Sequence, residues 1–134
     1  MAASAQPLDQ IRLAMAATND IFIVEVFGKR NFDALDQIYT KGARILPPGS
    51  PMVSGLAAIK EFWSGLIQAA NATSAVLSTV DAMLAGDGVV EIGSALLTMG
   101  PDGGTSQMEA KYVVYWRQEE GRWKWHVDIW NPNA

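Results

Sequence analysis

The chain changes its hydrophobic period once. Up to about residue 70 the apolar residues recur every three or four positions, and after that they alternate. Leu8, Ile11, Met15, Phe22, Ile23 and Val26 follow the first rule and predict an amphipathic helix over residues 8–27, stopped by Gly28. Asn31 is placed to cap a short helix over 32–39, with Asp33 in its first turn. A short strand over 43–46 is halted by Pro47-Pro48-Gly49, which cannot continue a ladder, and 50–53 reads as a brief extended segment. Ser54 is expected to cap a third helix over 56–69, whose buried stripe is Ile59, Phe62, Trp63, Leu66 and Ile67. Strands are predicted over 74–84, 89–99, 106–117 and 122–130, separated by turns rich in glycine. Helices first and long strands afterwards define a segregated α+β fold: a cone-shaped, curved antiparallel sheet wrapped over three N-terminal helices. Three helices cannot fill the concave side of such a sheet. The mouth left over is a place for a small molecule.

The last two strands carry most of the chemistry. Lys111-Tyr-Val-Val-Tyr-Trp-Arg117 leads into a turn at Gln118-Glu-Glu-Gly121 and returns as Arg122-Trp-Lys-Trp-His-Val-Asp-Ile-Trp130. If Arg117 faces Arg122, the two-residue period puts Tyr112, Val114, Trp116, Trp123, Trp125, Val127 and Ile129 on one face. The other face takes Glu109, Lys111, Val113, Tyr115, Lys124, His126, Asp128 and Trp130. By hydrophobicity alone the tryptophan face is core and the mixed face is wet.

Composition narrows the classes. At 134 residues the chain is expected to be one domain spanning 1–134, and 49% hydrophobic residues support a core. A formal net charge of −4 with scattered basic residues argues against nucleic acid. The absence of cysteine excludes disulfides, thiolate metal sites and thiol nucleophiles. Residues 1–7 lack the charged and apolar regions of a secretory signal, and no apolar run is long enough to span a bilayer, so a soluble, cytoplasmic protein that does not bind membranes is expected.

The run from Tyr39 to Trp63, Tyr-Thr-Lys-Gly-Ala-Arg-Ile-Leu-Pro-Pro-Gly-Ser-Pro-Met-Val-Ser-Gly-Leu-Ala-Ala-Ile-Lys-Glu-Phe-Trp, and the ending Gly121-Arg-Trp-Lys-Trp-His-Val-Asp-Ile-Trp-Asn131 resemble the nuclear-transport-factor-2-like superfamily. Within it the chain is similar to ketosteroid isomerase-like and SnoaL-like bacterial proteins. The resemblance implies a cystatin-like roll, and it leaves activity open, because this fold hosts isomerases, dehydratases, cyclases, epoxide hydrolases and non-enzymatic binders. It implies that Val113, His126, Asp128 and Trp130 line the cavity. The tryptophan face would then lie outside, and a patch of that size calls for a homodimer packed through Trp116, Trp123 and Trp125. The isomerase catalytic set is missing: its general base, oxyanion tyrosine and protonated aspartate fall at Pro47, near Ile23 and near Val113.

The candidate chemistry therefore rests on Asp128, His126 and Lys111. Asp128 is the acid or base, Lys111 lies across from it to balance charge, and His126 assists from the same face. Trp63, Tyr115, Trp130, Val113, Glu109, Ile23, Phe27 and Tyr39 are expected to hold a hydrophobic or cyclic ligand. One histidine is too few for a convincing metal site, and no cofactor is expected. No Gly-x-Ser-x-Gly elbow is present. Glu91 interrupts an apolar strand and reads best as a solvent-facing acid. Two functions remain open: an isomerase, lyase or cyclase that transfers a proton on a hydrophobic carbonyl compound, and a non-enzymatic dimeric binding or scaffold module.

Overall fold

A computed structural model describes residues 7–100 and 106–134. Helix α1 covers Leu8–Ile21 and runs on as a π-helix over Phe22–Gly28. The wider turn changes which side chains meet. Five residues of α-helix rotate by roughly 140° beyond a full turn, which separates the first side chain from the last. The π turn instead brings Phe22 and Phe27 together, with ring centroids 5.0 Å apart. A 3₁₀ helix over Phe32–Gln37 replaces the longer helix expected there, and strand β1 starts early, at Tyr39, and runs to Leu46. A two-residue strand β2, Val53–Ser54, precedes helix α2, Leu56–Ala70. The residue before α2 is Gly55 at φ 90°, so Ser54 does not cap it. The remaining strands are β3, Ser74–Ala85; β4, Gly88–Met99; β5, Ser106–Glu119; and β6, Arg122–Pro132.

The six strands form one sheet in the order β2-β1-β6-β5-β4-β3, antiparallel throughout except where β1 and β6 run parallel. α1, the π-helix and α2 cover its concave side. The core there is aromatic: Phe22, Phe27, Tyr39, Trp63, Trp116 and Trp125 are all buried.

The β5–β6 hairpin corrects the sequence register. Glu119 pairs with Arg122, so the turn is the two residues Glu120 and Gly121, at φ 54° and 76°. Two positive φ values in a two-residue loop are the geometry that matches the twist of a hairpin. Trp116 then pairs with Trp125, but Tyr115 pairs with Val127, and His126 is the extra residue of a β-bulge. Beyond it the faces of β6 exchange. Val114 faces Asp128 and Tyr112 faces Trp130, while Lys111 pairs with Asn131, not with Asp128.

The indoles ahead of the bulge lie on the inner side, opposite to the side expected of them. Trp116, Trp123 and Trp125 are 0%, 7% and 4% exposed, packed under the helices of their own chain. A dimer through these indoles is therefore ruled out, because a single chain already buries them. Thr18 Oγ1 donates to the Trp123 carbonyl at 2.9 Å, and Trp125 Nε1 donates to Asn19 at 3.1 Å, tying β6 to α1.

Gly93 shows why Tyr112 lies where it does. A Cβ on Gly93 would collide with the ring of Tyr112, its cross-strand partner. The bare backbone of β4 lets the tyrosine ring lie flat along the sheet and send its hydroxyl toward Glu91.

Candidate functional site

Between the sheet and the helices lies a cavity of about 50 Å³. The π-helix contributes Phe22 and Phe27, α2 contributes Trp63, and β6 contributes Trp125, Asp128 and Trp130. Tyr112 and Val114 of β5 complete the floor. The half-buried Leu77, Ala95 and Leu97, with Trp130, mark the mouth. Trp63 and Trp130 stack at 5.0 Å, with 22° between their planes. Asp128 is the one charged residue in this lining, and it is 4% exposed.

Asp128 has a single hydrogen-bond donor among the described residues. Tyr39 donates its hydroxyl to Oδ2 at 2.6 Å, and Trp63 Nε1 donates to the Tyr39 oxygen at 3.1 Å. Burial pushes the Asp128 carboxyl up from 3.8 to about 7; the Tyr39 bond opposes the rise and the negative charge of Glu91 adds to it. The same pair pushes the Tyr39 phenol well above its ordinary value, by burial first and then by the charge of Asp128. Asp128 can therefore take or give a proton near neutral pH inside an apolar chamber.

Glu91 is the residue the sequence misplaced. It is fully buried, not solvent-facing. Its Oε2 accepts from Thr79 Oγ1 and Tyr112 Oη, both at 2.7 Å, and its Oε1 accepts from Trp116 Nε1 at 2.9 Å. Glu91 and Asp128 both pair with Val114, from opposite sides, so the two acids flank one valine across three strands. Two strand spacings separate their backbones, roughly 9–10 Å. The signal in the sequence was parity: Glu91 alternates with Val89, which is also buried. Neither acid forms an ion pair with a described residue.

The other expected residues divide cleanly. Trp63, Phe27 and Trp130 line the cavity, and Tyr39 stands behind Asp128. Ile23 is half-buried on the π-helix and does not line it. Val113, Tyr115, Glu109 and Lys111 alternate onto the convex side of β5. Lys111 is exposed there and donates to the Pro132 carbonyl at 3.2 Å. His126 shares a 2.7 Å hydrogen bond with Thr40 and lies 6.5 Å from the Tyr115 ring, away from the cavity. Burial lowers its pKa first, and Arg117 and Arg44 lower it further against the opposing pull of Glu119. The expected trio is thus not assembled: the bulge sends Asp128 inward and leaves His126 and Lys111 outside. Phe22, Tyr112, Val114 and Trp125 are cavity residues that sequence reasoning assigned elsewhere or passed over. Among the described residues no cluster of histidine, aspartate and glutamate is placed to hold a metal, and no helix is long and apolar enough to cross a membrane.

A curved sheet wrapped over N-terminal helices around a partly apolar cavity is the architecture of nuclear-transport-factor-2-like proteins. The family model of the SnoaL-like domain matches residues 22–126, and the chain belongs to that family. Among solved structures it is similar to a function-unknown protein from Mycobacterium tuberculosis, at 12% identity and a TM-score of 0.82, covering 98% of this chain and 79% of that one. It is similar to a hexachlorocyclohexane dehydrochlorinase from Novosphingobium barchaimii, at 19% identity and a TM-score of 0.73, covering 95% and 90%. An NTF2-like protein with a cystatin-like fold from Novosphingobium aromaticivorans matches at 12% identity and a TM-score of 0.80, covering 95% and 84%. At these identities the likeness establishes the fold. No curated protein matches the chain.

Proposed function

We propose that this protein binds a small hydrophobic, cyclic molecule in its cavity and that Asp128 exchanges a proton with it. The observation that carries the reading is a 4% exposed carboxyl, poised near neutral pH, in an otherwise apolar and aromatic lining. Of the isomerase, lyase and cyclase chemistries on a carbonyl compound, those that need only a base fit best, since Lys111 lies outside and supplies no balancing charge. The test starts with native mass spectrometry and a panel of cyclic apolar compounds, followed by turnover measured on the one that binds. Asp128→Asn is expected to lower turnover by at least about a hundredfold with the fold retained. A variant that keeps full activity removes Asp128 from the mechanism.

One observation favours the non-enzymatic alternative. Four donors around the cavity are committed: Tyr39 to Asp128, Tyr112 to Glu91, Trp63 to Tyr39 and Trp125 to Asn19. Only the Trp130 indole N–H is left among the described lining residues, and one neutral donor is a weak provision for an oxyanion. A bound compound recovered unchanged after long incubation decides for this binder.

With the tryptophans internal, pairing of two copies needs another surface. Ile92, Val113 and Ile129 face one another across β4, β5 and β6 on the convex side, at 38%, 41% and 38% exposure. We propose that a second copy packs on this row, because an exposed apolar stripe can meet the same stripe of another copy under a two-fold axis. Sedimentation of the wild type should give a dimer, and Val113→Lys, at the centre of the row, should give a folded monomer with the circular-dichroism spectrum of the wild type. A monomeric wild type at high micromolar concentration rejects the surface.

A further inference from the structure

Among the described residues two acids are buried with no cation beside them, since the buried Lys124 pairs with Glu119 instead. Asp128 lines the cavity, and Glu91 stands on the far side of Val114. Their partners are hydroxyls and indole N–H groups, not cations. Buried carboxylates are ordinarily matched by a cation or lose their charge by protonation. Here the groups facing Asp128 are Tyr39 from β1, Glu91 from β4 and Tyr112 from β5, and none carries positive charge. Above about pH 7, where Asp128 is ionised, the cavity therefore carries an unbalanced negative charge.

The walls around that charge are π faces. Phe22 packs edge to face on Trp63 at 5.2 Å, and Trp63 stacks on Trp130. Aromatic faces carry negative potential and attract cations, most strongly where water is excluded. The hydrogen bonds agree. Tyr39, Trp63, Tyr112 and Trp125 spend their donors on internal acceptors, while Oδ1 of Asp128 accepts no hydrogen bond from a described residue. What the chamber lacks is a donor that is also a cation.

We propose that the cavity is an organic-ammonium site. It takes a cyclic amine whose ammonium group enters the chamber beside Asp128 and whose ring, too large for the chamber, lies in the mouth against Trp130, Leu77 and Leu97. This rests on the cavity being a binding site and names the class of molecule it prefers. A neutral ring would gain the apolar contact alone, whereas the ammonium adds a charge-assisted hydrogen bond and the attraction of the rings.

The experiment compares cyclohexylamine with cyclohexanol, two rings of nearly equal size that differ in charge, by isothermal titration calorimetry on the full chain. At pH 8 cyclohexylamine is expected to bind at least about tenfold more tightly than cyclohexanol. Asp128→Asn should abolish that preference, bringing the affinities of the two rings to within about twofold of each other. Amine binding should weaken as pH falls through 7, where the carboxyl takes up its own proton, and binding near pH 7 should release that proton, read from the dependence of the heat on buffer ionisation. Equal binding of the two rings, or an amine preference that survives Asp128→Asn, overturns the proposal and leaves the cavity reading intact. Failure of both rings to bind the wild type overturns the two together.

Discussion

Asp128→Asn should make this protein more stable in alkali than the wild type. The folded carboxyl sits at about 7, above its ordinary 3.8. Between those values the folded chain holds a proton that the unfolded chain releases. Stability from this group is fully present below about pH 4 and is lost as pH rises through 7. Asparagine has no proton to lose, and its amide oxygen still accepts from Tyr39. The difference in unfolding free energy between variant and wild type should therefore climb with pH between 4 and 8, toward a limit on the order of 4 kcal/mol, and flatten above that. Urea titrations at half-unit pH intervals measure it. Parallel curves for the two proteins would show that Asp128 ionises freely and would remove the basis for its role as a base.

The second large effect is expected at Glu91. Glu91→Ala strands three buried donors, Thr79 Oγ1, Tyr112 Oη and Trp116 Nε1, in a region where water has little access. Removing one side of a buried charged network costs about 3–5 kcal/mol. Glu91→Gln keeps one oxygen to accept from these groups and should cost clearly less. Chemical denaturation gives the magnitudes, and near-ultraviolet circular dichroism reports the surroundings of Tyr112 and Trp116. A Glu91→Ala variant less than about 1 kcal/mol below the wild type would mean that water replaces the carboxylate and that the network is not structural.

The architecture was legible because it rests on period. The three-and-four spacing from Leu8 marked the first helix, and alternation after residue 74 marked the four long strands to within a few residues. What spacing cannot encode is a local change of pitch. The passage from α to π at Phe22 keeps the same residues apolar, so nothing in the pattern announces it. The site was legible only in part, for a related reason. Asp128, Trp63, Trp130, Phe27 and Tyr39 were placed at or beside the cavity, but Asp128 was set among its neighbours on an uninterrupted hairpin. The bulge at His126 interrupts that hairpin and separates the expected partners. Glu91 failed differently: its parity pointed inward while the general behaviour of acids pointed outward, and three donors from β3 and β5 decided for parity. Those donors lie 12 to 25 positions away in sequence, beyond the reach of a local rule.

The bulge at His126 reaches beyond this one hairpin. In a strand, inside and outside are odd and even, and an inserted residue changes which is which for every position after it. The chemistry of this cavity is thus governed by residue count as much as by residue identity. A substitution at Asp128 alters one group. A deletion at His126 would remove the bulge and leave an unbroken ladder with Asp128 still opposite Val114 and Trp130 still opposite Tyr112, whereas an unbroken ladder that kept His126 would turn both to the surface and bring Val127 and Ile129 into the chamber. An ungapped comparison of this last strand with one that lacks the bulge would align residues that face opposite ways.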